Sequence, residues 1–166
     1  LFAYTGGATL AAAAAGATVT HVDASKGMVT WAKENAVSSG LKDAPIRWLV
    51  DDCVKFVERE IRRGNTYDAI IMDPPSYGRG PKGEIWKIED MIHPLIRLCA
   101  KILSEDALFF LVNSYTTGLA PAVLTYMIST ELKSWNGHVD SQEIGLPVTN
   151  SGLVLPCGAS GRWESR

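Results

Sequence analysis

The sequence predicts an α/β fold, a doubly wound and mostly parallel β-sheet with helices on both faces. Short apolar, β-rich runs alternate with helix-forming segments along the chain. One of these runs stops abruptly at an acid followed by two prolines, as a buried parallel strand does. The C-terminal residues contain two further strand-like runs without a helix between them, which predicts an antiparallel last hairpin. Alternating βα units of this length favour a doubly wound sheet.

Length and composition indicate one domain over residues 1–166. Hydrophobic residues make up 46% of the chain and charged residues 20%, which is ordinary for a globular protein. The net charge of −2 argues against binding nucleic acid through bulk charge alone. Three widely spaced cysteines predict a reducing compartment, so we expect a cytoplasmic protein. No apolar run approaches the roughly 20 residues of a membrane span, and no Cys/His cluster has metal-ligand spacing, so we expect neither membrane nor metal.

The first part of the chain contains three predicted helices. Alanine-rich residues 8–15 favour a helix that ends at Gly16. Ser25 is a candidate N-cap for the second helix, and Gly40 follows its end. The third helix, over residues 53–63, has apolar positions on one face and charges on the other. Strands are predicted at residues 1–3, 19–22 and 46–50, the first being the truncated end of a strand that begins in a missing N-terminal portion.

The second part repeats the alternation. The strand over residues 67–72 leads into the two prolines, and residues 88–103 have a clean helical period. Residues 107–112 are apolar on both faces, which predicts a central strand. A last helix and the final two strands are predicted at residues 120–130, 135–144 and 153–155.

The segment Asp73-Pro74-Pro75-Ser76-Tyr77 is the most informative motif. The prolines disfavour helix at the acid and cannot donate ladder hydrogen bonds, so the strand must stop there. The acid is left at the carboxyl end of a strand, where open α/β sheets bind ligands. A carboxylate, two carbonyls and an aromatic ring are suited to a flat polar group such as a nucleobase.

Acids also follow the earlier strands. Asp23 and the pair Asp51-Asp52 each come at a strand end, and Tyr4-Thr5-Gly6-Gly7 forms the turn between the first strand and its helix. Small turn residues let a ligand approach the backbone amides at a helix N-terminus. A carboxylate at the next strand end accepts hydrogen bonds from ribose hydroxyls. The pattern predicts a nucleotide-type cofactor along this edge of the sheet.

In this order, the segments 1–7, Val22-Asp23-Ala24-Ser25, Asp51-Asp52-Cys53 and 73–77 resemble a class I S-adenosylmethionine-dependent methyltransferase. More narrowly, they resemble the bacterial group related to the large-subunit ribosomal RNA (cytosine) methyltransferases. The resemblance implies a Rossmann-like fold, S-adenosyl-L-methionine as cofactor, and an enzyme that methylates a base in RNA. Ribosomal RNA or an assembling ribosome would be the partner.

The resemblance also implies a role for each motif. The loop from Phe2 to Gly7 would line the methionine part of the cofactor, Asp23 would bind the ribose, and Asp52 would hold the adenine amine. The implied cofactor-binding residues are Phe2, Tyr4, Thr5, Gly6, Gly7, Asp23, Ala24, Ser25, Asp51, Asp52 and Cys53. Asp73, Pro74, Pro75 and Tyr77 would form the catalytic end, where methyl group and target meet.

Two departures from the family matter. Many relatives have Gly-x-Gly-x-Gly in the first loop, whereas here Phe2 and Tyr4 occupy the first two glycine positions. Cytosine C5 methylation requires a cysteine nucleophile, which in the ribosomal relatives follows the fifth strand. That place reads Asn113-Ser114-Tyr115 here, and the sequence leaves Cys157 unplaced.

Transfer to an exocyclic amine therefore remains an alternative chemistry. Such an amine can donate hydrogen bonds to Asp73 and to a proline carbonyl, while Tyr77 stacks on the base. The next segment, residues 78–87, is predicted to be a glycine-rich loop that contacts phosphate and base through Arg79, Lys82, Trp86 and Lys87. Two other functions stay open, a nicotinamide-dinucleotide-dependent oxidoreductase and a non-catalytic nucleotide-binding module.

Overall fold

The computed structural model describes residues 1–80 and 83–166, and Lys82 therefore lies outside the described residues. The chain forms two compact units, Leu1–Arg59 and Glu60–Arg166. The single domain over residues 1–166 stays a prediction. Within the described ranges, every helix is too short or too polar to serve as a membrane span.

The first unit contains a two-stranded parallel sheet. Strands β1 (Val19–Asp23) and β2 (Ile46–Val50) pair so that Asp23 lies opposite Val50. Both strands therefore end at one edge. Helices α1 (Gly7–Ala14), α2 (Lys26–Ser38) and the first turns of α3 (Cys53–Arg63) belong to this unit. After residue 7, the strands and helices of this unit begin and end within about two residues of their predicted bounds, which confirms them.

The predicted strand over residues 1–3 is wrong. These residues are all described, and none is assigned to a strand. The Ala3 N–H donates one hydrogen bond to the Val22 carbonyl at 3.1 Å. Phe2 and Tyr4 on either side have positive φ angles of 54° and 48°. A left-handed backbone cannot continue an extended ladder, so the chain turns instead.

The second unit contains a four-stranded mixed sheet and a separate hairpin. In chain order its strands are β3 (Ala69–Met72), β4 (Tyr77–Arg79), β5 (Ile85–Lys87), β6 (Phe109–Ser114), β7 (Gly137–Pro147) and β8 (Val154–Ser165). The sheet order is β3-β6-β8-β7, with β3 and β6 parallel and the pairs β6–β8 and β7–β8 antiparallel. The central position of the fifth predicted strand and the antiparallel last hairpin are thus confirmed.

Two helices pack in this unit, α4 (Ile88–Ala100) and α5 (Pro121–Glu131). The apolar stripe of α4 is buried as its period predicts, and so are the inner residues of α5. A β-carbon built at Gly161 of β8 would lie 2.7 Å from the Leu124 β-carbon. Glycine at this point lets α5 approach the sheet closely. Strand β8 is longer than the predicted strand over residues 153–155, because it pairs with both β6 and β7.

The predicted loop over residues 78–87 is partly wrong. Strands β4 and β5 pair antiparallel, with Tyr77 opposite Lys87 and Gly78 opposite Trp86. The segment contains three glycines and lacks a clear apolar alternation, so the sequence pattern did not predict its two short strands. The hairpin gives Tyr77, Arg79, Trp86 and Lys87 defined positions on paired strands.

Candidate cofactor and target sites

Residues 1–7, the 1–7 loop, have an unusual backbone. Phe2, Tyr4 and Gly6 have φ angles of 54°, 48° and 87°, so alternate residues are left-handed. These are the three positions that glycine occupies in Gly-x-Gly-x-Gly. The loop has the left-handed backbone at all three positions, although only Gly6 is a glycine. Gly6 cannot be replaced easily, because a β-carbon there would lie 3.1 Å from that of Ala32 in α2.

Asp23, at the end of β1, anchors the 1–7 loop to α2. Its Oδ2 accepts a hydrogen bond from the Tyr4 N–H at 2.9 Å, and its Oδ1 accepts one from the Ser25 N–H at 2.8 Å. A carboxylate has about four acceptor positions, so capacity remains for ribose hydroxyls. Ala24 and Ser25 are exposed, and the Ser25 hydroxyl caps α2 through the Met28 N–H.

The remaining loop residues lead into α1. The Thr5 carbonyl accepts a hydrogen bond from Asn35 Nδ2 at 3.0 Å, which fixes the loop against α2. Gly6 is the N-cap of α1 and Gly7 is its exposed first residue. Helix N-termini present backbone N–H groups and a partial positive charge to polar ligand groups.

The three residues after β2 have different environments. The Asp51 carboxylate pairs with Arg59 of α3. Asp52 Oδ1 accepts the Lys55 N–H at 2.9 Å and caps α3. Cys53 is buried, and burial raises the pKa of its thiol to about 11. It is therefore protonated at neutral pH and is not a nucleophile.

His21 is a buried group that sequence reasoning missed. Its Nδ1 lies 2.9 Å from Thr9 Oγ1, and its ring is 4.8 Å from the ring of Trp48. Burial lowers the pKa of His21 to about 4, so the ring is neutral near pH 7. The ring lies under Gly6, with its Cε1 3.8 Å from a β-carbon built there. Only this packing identifies His21, since a histidine in a strand has no sequence signal of its own.

The second unit contains the Asp73 motif at the end of β3. Asp73 is exposed, and the surrounding protein raises the pKa of its carboxyl above the ordinary range through partial desolvation. Pro74 is buried and Pro75 is exposed. The Trp86 indole N–H donates to the Pro75 carbonyl at 2.6 Å. Sequence reasoning placed Trp86 in a substrate loop, and the structure brings it onto this motif.

Ser76, which separates the prolines from Tyr77, ties the motif to its neighbours. Its carbonyl accepts the Ile88 N–H at 3.1 Å, and its hydroxyl lies 2.7 Å from Thr116 Oγ1. The predicted residues of the hairpin also meet each other. Arg79 Nε donates to the Tyr77 hydroxyl at 3.0 Å, and Lys87 pairs opposite Tyr77.

The end of β6 lies at the same edge of the sheet as Asp73, because β3 and β6 are parallel. Tyr115 follows β6, is 52% exposed, and has its pKa raised by desolvation and by the negative charge of Asp73. A β-carbon at Gly158 would lie 3.0 Å from the Tyr115 Cα. The structure therefore brings Cys157, one residue earlier and half-buried, to the neighbourhood of Tyr115.

A surface depression lies elsewhere in the second unit. A depression of about 320 Å³ is lined by residues such as Leu103, Ser104 and Trp135, towards the amino-terminal end of β6 and away from Asp73. In the part of the chain that the structure describes, no group of three or more His, Cys, Asp or Glu side chains is arranged to hold a metal ion.

Comparison with known proteins gives three consistent findings. Residues 1–136 match the family model described as S-adenosylmethionine-dependent methyltransferase. The chain is 35% identical over 104 residues to a ribosomal RNA large subunit methyltransferase K/L from Shewanella frigidimarina, covering 59% of this chain and 14% of the relative. It is 31% identical over 116 residues to a ribosomal RNA large subunit methyltransferase K from Neisseria meningitidis, covering 69% of this chain and 33% of the relative.

Among solved structures, the chain is similar to a SAM-dependent methyltransferase from Agrobacterium tumefaciens. The TM-score is 0.93 with 43% identity, over 100% of this chain and 55% of that one. The chain thus spans about a seventh to a third of the two curated relatives and about half of this structure. The predicted α/β fold class and the resemblance to large-subunit ribosomal RNA methyltransferases are confirmed, while the roles of the single residues stay predictions.

Proposed function

We propose that this chain, which belongs to the S-adenosylmethionine-dependent methyltransferase family, transfers the methyl group of that cofactor to a base in ribosomal RNA. The observation that carries the proposal is the match of the family model to residues 1–136, which include every motif described above. The names of the curated relatives support the large ribosomal subunit as the substrate. For an RNA substrate of this kind we propose a reaction in the cytoplasm.

The residues of the first unit fit this cofactor. Asp23 has acceptor capacity for ribose hydroxyls, and Asp52 is available for the adenine amine in addition to its cap. The 1–7 loop runs into the N-terminus of α1, and Gly6 leaves space where any side chain would be obstructed. When bound, the cofactor supplies a sulfonium methyl group that a nucleophile displaces directly.

For the target atom we favour an exocyclic amine. Asp73 and the Pro74 carbonyl would accept its two N–H groups, which directs the nitrogen lone pair towards the methyl carbon. We assign the Pro74 carbonyl because it directly follows Asp73, and the Pro75 carbonyl accepts the Trp86 indole N–H. The amine would lose a proton on receiving the methyl group, and the Asp73 carboxylate would accept that proton. The raised pKa of Asp73 makes its carboxylate a better acceptor for that proton.

The hairpin would hold the RNA. Tyr77 is half exposed and can stack on a base, which is worth about 1–3 kcal/mol. Arg79 and Lys87 are exposed cations on the same hairpin and would contact phosphates, with Lys82 as a further predicted contact. Because phosphate contacts release counterions, binding should weaken as salt rises.

The first test measures binding of S-adenosylhomocysteine by isothermal titration calorimetry, with NAD as the competing candidate. We expect saturable binding of S-adenosylhomocysteine and none of NAD. The reverse result would favour the oxidoreductase. Binding without methyl transfer to any RNA would favour a non-catalytic nucleotide-binding module.

The second test follows transfer of labelled methyl groups to unmodified large-subunit ribosomal RNA. We expect Asp73→Ala to lower kcat about 100-fold or more, because the amine loses its positioning acceptor, while the Kd for S-adenosylhomocysteine is unchanged. Asp68→Ala is the matched control, since Asp68 is an exposed aspartate at the opposite end of β3 and its carboxylate accepts a hydrogen bond from the Ser104 hydroxyl at 2.8 Å. Full activity of Asp73→Ala would refute the assigned target site.

Cys157→Ala separates transfer to nitrogen from cysteine-dependent transfer to cytosine C5. Cys157 lies near Tyr115 at the target edge of the second unit, so it is the cysteine to test. We expect its replacement to change kcat less than twofold. If the variant lost all transfer and the wild type formed a covalent protein–RNA adduct, the target atom would be cytosine C5 and not an exocyclic amine.

A further inference from the structure

We propose that Cys53 is a positioning residue for the 1–7 loop, and that its thiol holds Phe2 in the left-handed backbone the loop needs to bind its cofactor. The inference rests on the proposed function, because it assigns the 1–7 loop to cofactor binding. It differs from the role that the sequence suggested, in which Cys53 itself borders the cofactor.

The 1–7 loop has a path that its own residues disfavour. Phe2 and Tyr4 are left-handed although both carry a β-carbon. Only glycine adopts this backbone readily, and other residues persist in it when the surrounding structure holds them there. Two side-chain acceptors provide that hold, one for each strained residue.

Asp23 is the acceptor for Tyr4, as its Oδ2 receives the Tyr4 N–H at 2.9 Å. Cys53 is the acceptor for Phe2, whose N–H points at the sulfur from 3.3 Å. Between the two, the Ala3 N–H donates to the Val22 carbonyl at 3.1 Å. Three consecutive backbone N–H groups are thus directed to the carboxyl end of β1 and to the first residue of α3.

The thiol makes two contacts at once. Its sulfur accepts the Phe2 N–H, and its S–H is directed to the Val22 carbonyl at 4.0 Å. Donation to the Val22 carbonyl requires the protonated thiol, which the raised pKa of Cys53 ensures at neutral pH. Serine can make the same pair of bonds, whereas alanine can make neither.

Burial excludes a direct role. Cys53 is only 4% exposed, so its effect on a bound ligand has to pass through the loop. Phe2 and Tyr4 stand where glycine is common in related loops, and the two acceptors replace the conformational freedom that glycine would supply.

The test compares the Kd of S-adenosylhomocysteine for wild type, Cys53→Ala, Cys53→Ser and Cys99→Ala by calorimetry on the full chain. We expect Cys53→Ala to raise the Kd about threefold to tenfold, the equivalent of one lost neutral hydrogen bond. Cys53→Ser should stay within about twofold of wild type. In the transfer assay, the KM for S-adenosylmethionine of Cys53→Ala should rise by the same factor, with kcat unchanged.

Cys99→Ala is the matched control, because Cys99 is also a fully buried thiol but lies in α4 of the second unit. It should lower the melting temperature and leave the Kd unchanged. If Cys53→Ala does not fold, Cys53→Val fills the same space without either bond and should show the same loss.

Two results would overturn the inference while leaving the proposed function intact. One is a Kd within twofold of wild type for the alanine or valine variant. The other is a loss in Cys53→Ser as large as in Cys53→Ala, since packing rather than hydrogen bonding would then be responsible. Absence of S-adenosylhomocysteine binding in the wild type would instead refute the proposed function.

Discussion

Single residues in the first unit are strained or buried where the 1–7 loop meets β1. The left-handed angles of Phe2 and Tyr4 are compensated by side-chain acceptors, and His21 lies buried under Gly6. His21 is neutral because burial opposes its charged form more strongly than the nearby Asp23 favours it. A neutral ring sharing a hydrogen bond with Thr9 supports the loop without placing a charge beneath Gly6.

This environment predicts a pH dependence of stability. The unfolded His21 binds a proton near pH 6.5, whereas the folded residue resists protonation until about pH 4. The stabilisation is therefore complete above pH 6.5 and is lost as the pH falls from 6.5 to 4. We expect the free energy of unfolding of the wild type, measured with urea, to fall more steeply over this window than that of His21→Gln. Parallel curves for the two proteins would show that folding does not lower the pKa of His21.

Among the elements, the β4–β5 hairpin has the clearest functional consequence. It returns the chain to the Asp73 motif, where the Trp86 indole N–H bonds the Pro75 carbonyl and Ile88 bonds the Ser76 carbonyl. The Ser76–Thr116 contact adds a tie to the residues after β6. The hairpin therefore helps fix the backbone that carries Asp73.

We predict that Trp86→Phe lowers kcat/KM for methyl transfer to RNA about fivefold, because the loss of one hydrogen bond of about 1 kcal/mol loosens the Asp73 motif. The Kd for S-adenosylhomocysteine should not change. Trp135→Phe is the matched control, since its indole also bonds a backbone carbonyl, that of Ser104, at the other end of the sheet. Equal losses of activity in the two variants would remove any special role for Trp86.

For the whole molecule, cofactor binding should appear as stability. A ligand that binds only the folded state at 100 times its Kd adds about 2.7 kcal/mol to the free energy of unfolding. For a chain of this size that corresponds to a melting temperature about 5–10 °C higher. We expect this shift with S-adenosylhomocysteine and none with NAD at the same concentration, measured by scanning calorimetry. An unchanged melting temperature with both would point away from a nucleotide-type cofactor.

The sequence by itself determined the order of elements and the positions of the conspicuous acids. Strand ends followed by Asp23, Asp51-Asp52 and Asp73-Pro74-Pro75 are local features, because proline and helix caps act within a few residues. Helical periods in residues 88–103 and the apolar run at 107–112 are likewise local, and the structure confirms both elements.

Only the tertiary structure decided how the sites are supported. The contacts of Phe2 with Cys53, Tyr4 with Asp23 and Trp86 with Pro75 join residues far apart in sequence. The left-handed backbone of the 1–7 loop overrode the strand preference of its residues, and the paired strands β4 and β5 overrode the loop preference of their glycines. Packing and hydrogen bonds between distant segments outweigh local propensities of a fraction of a kcal/mol, and no pattern within one segment can report them.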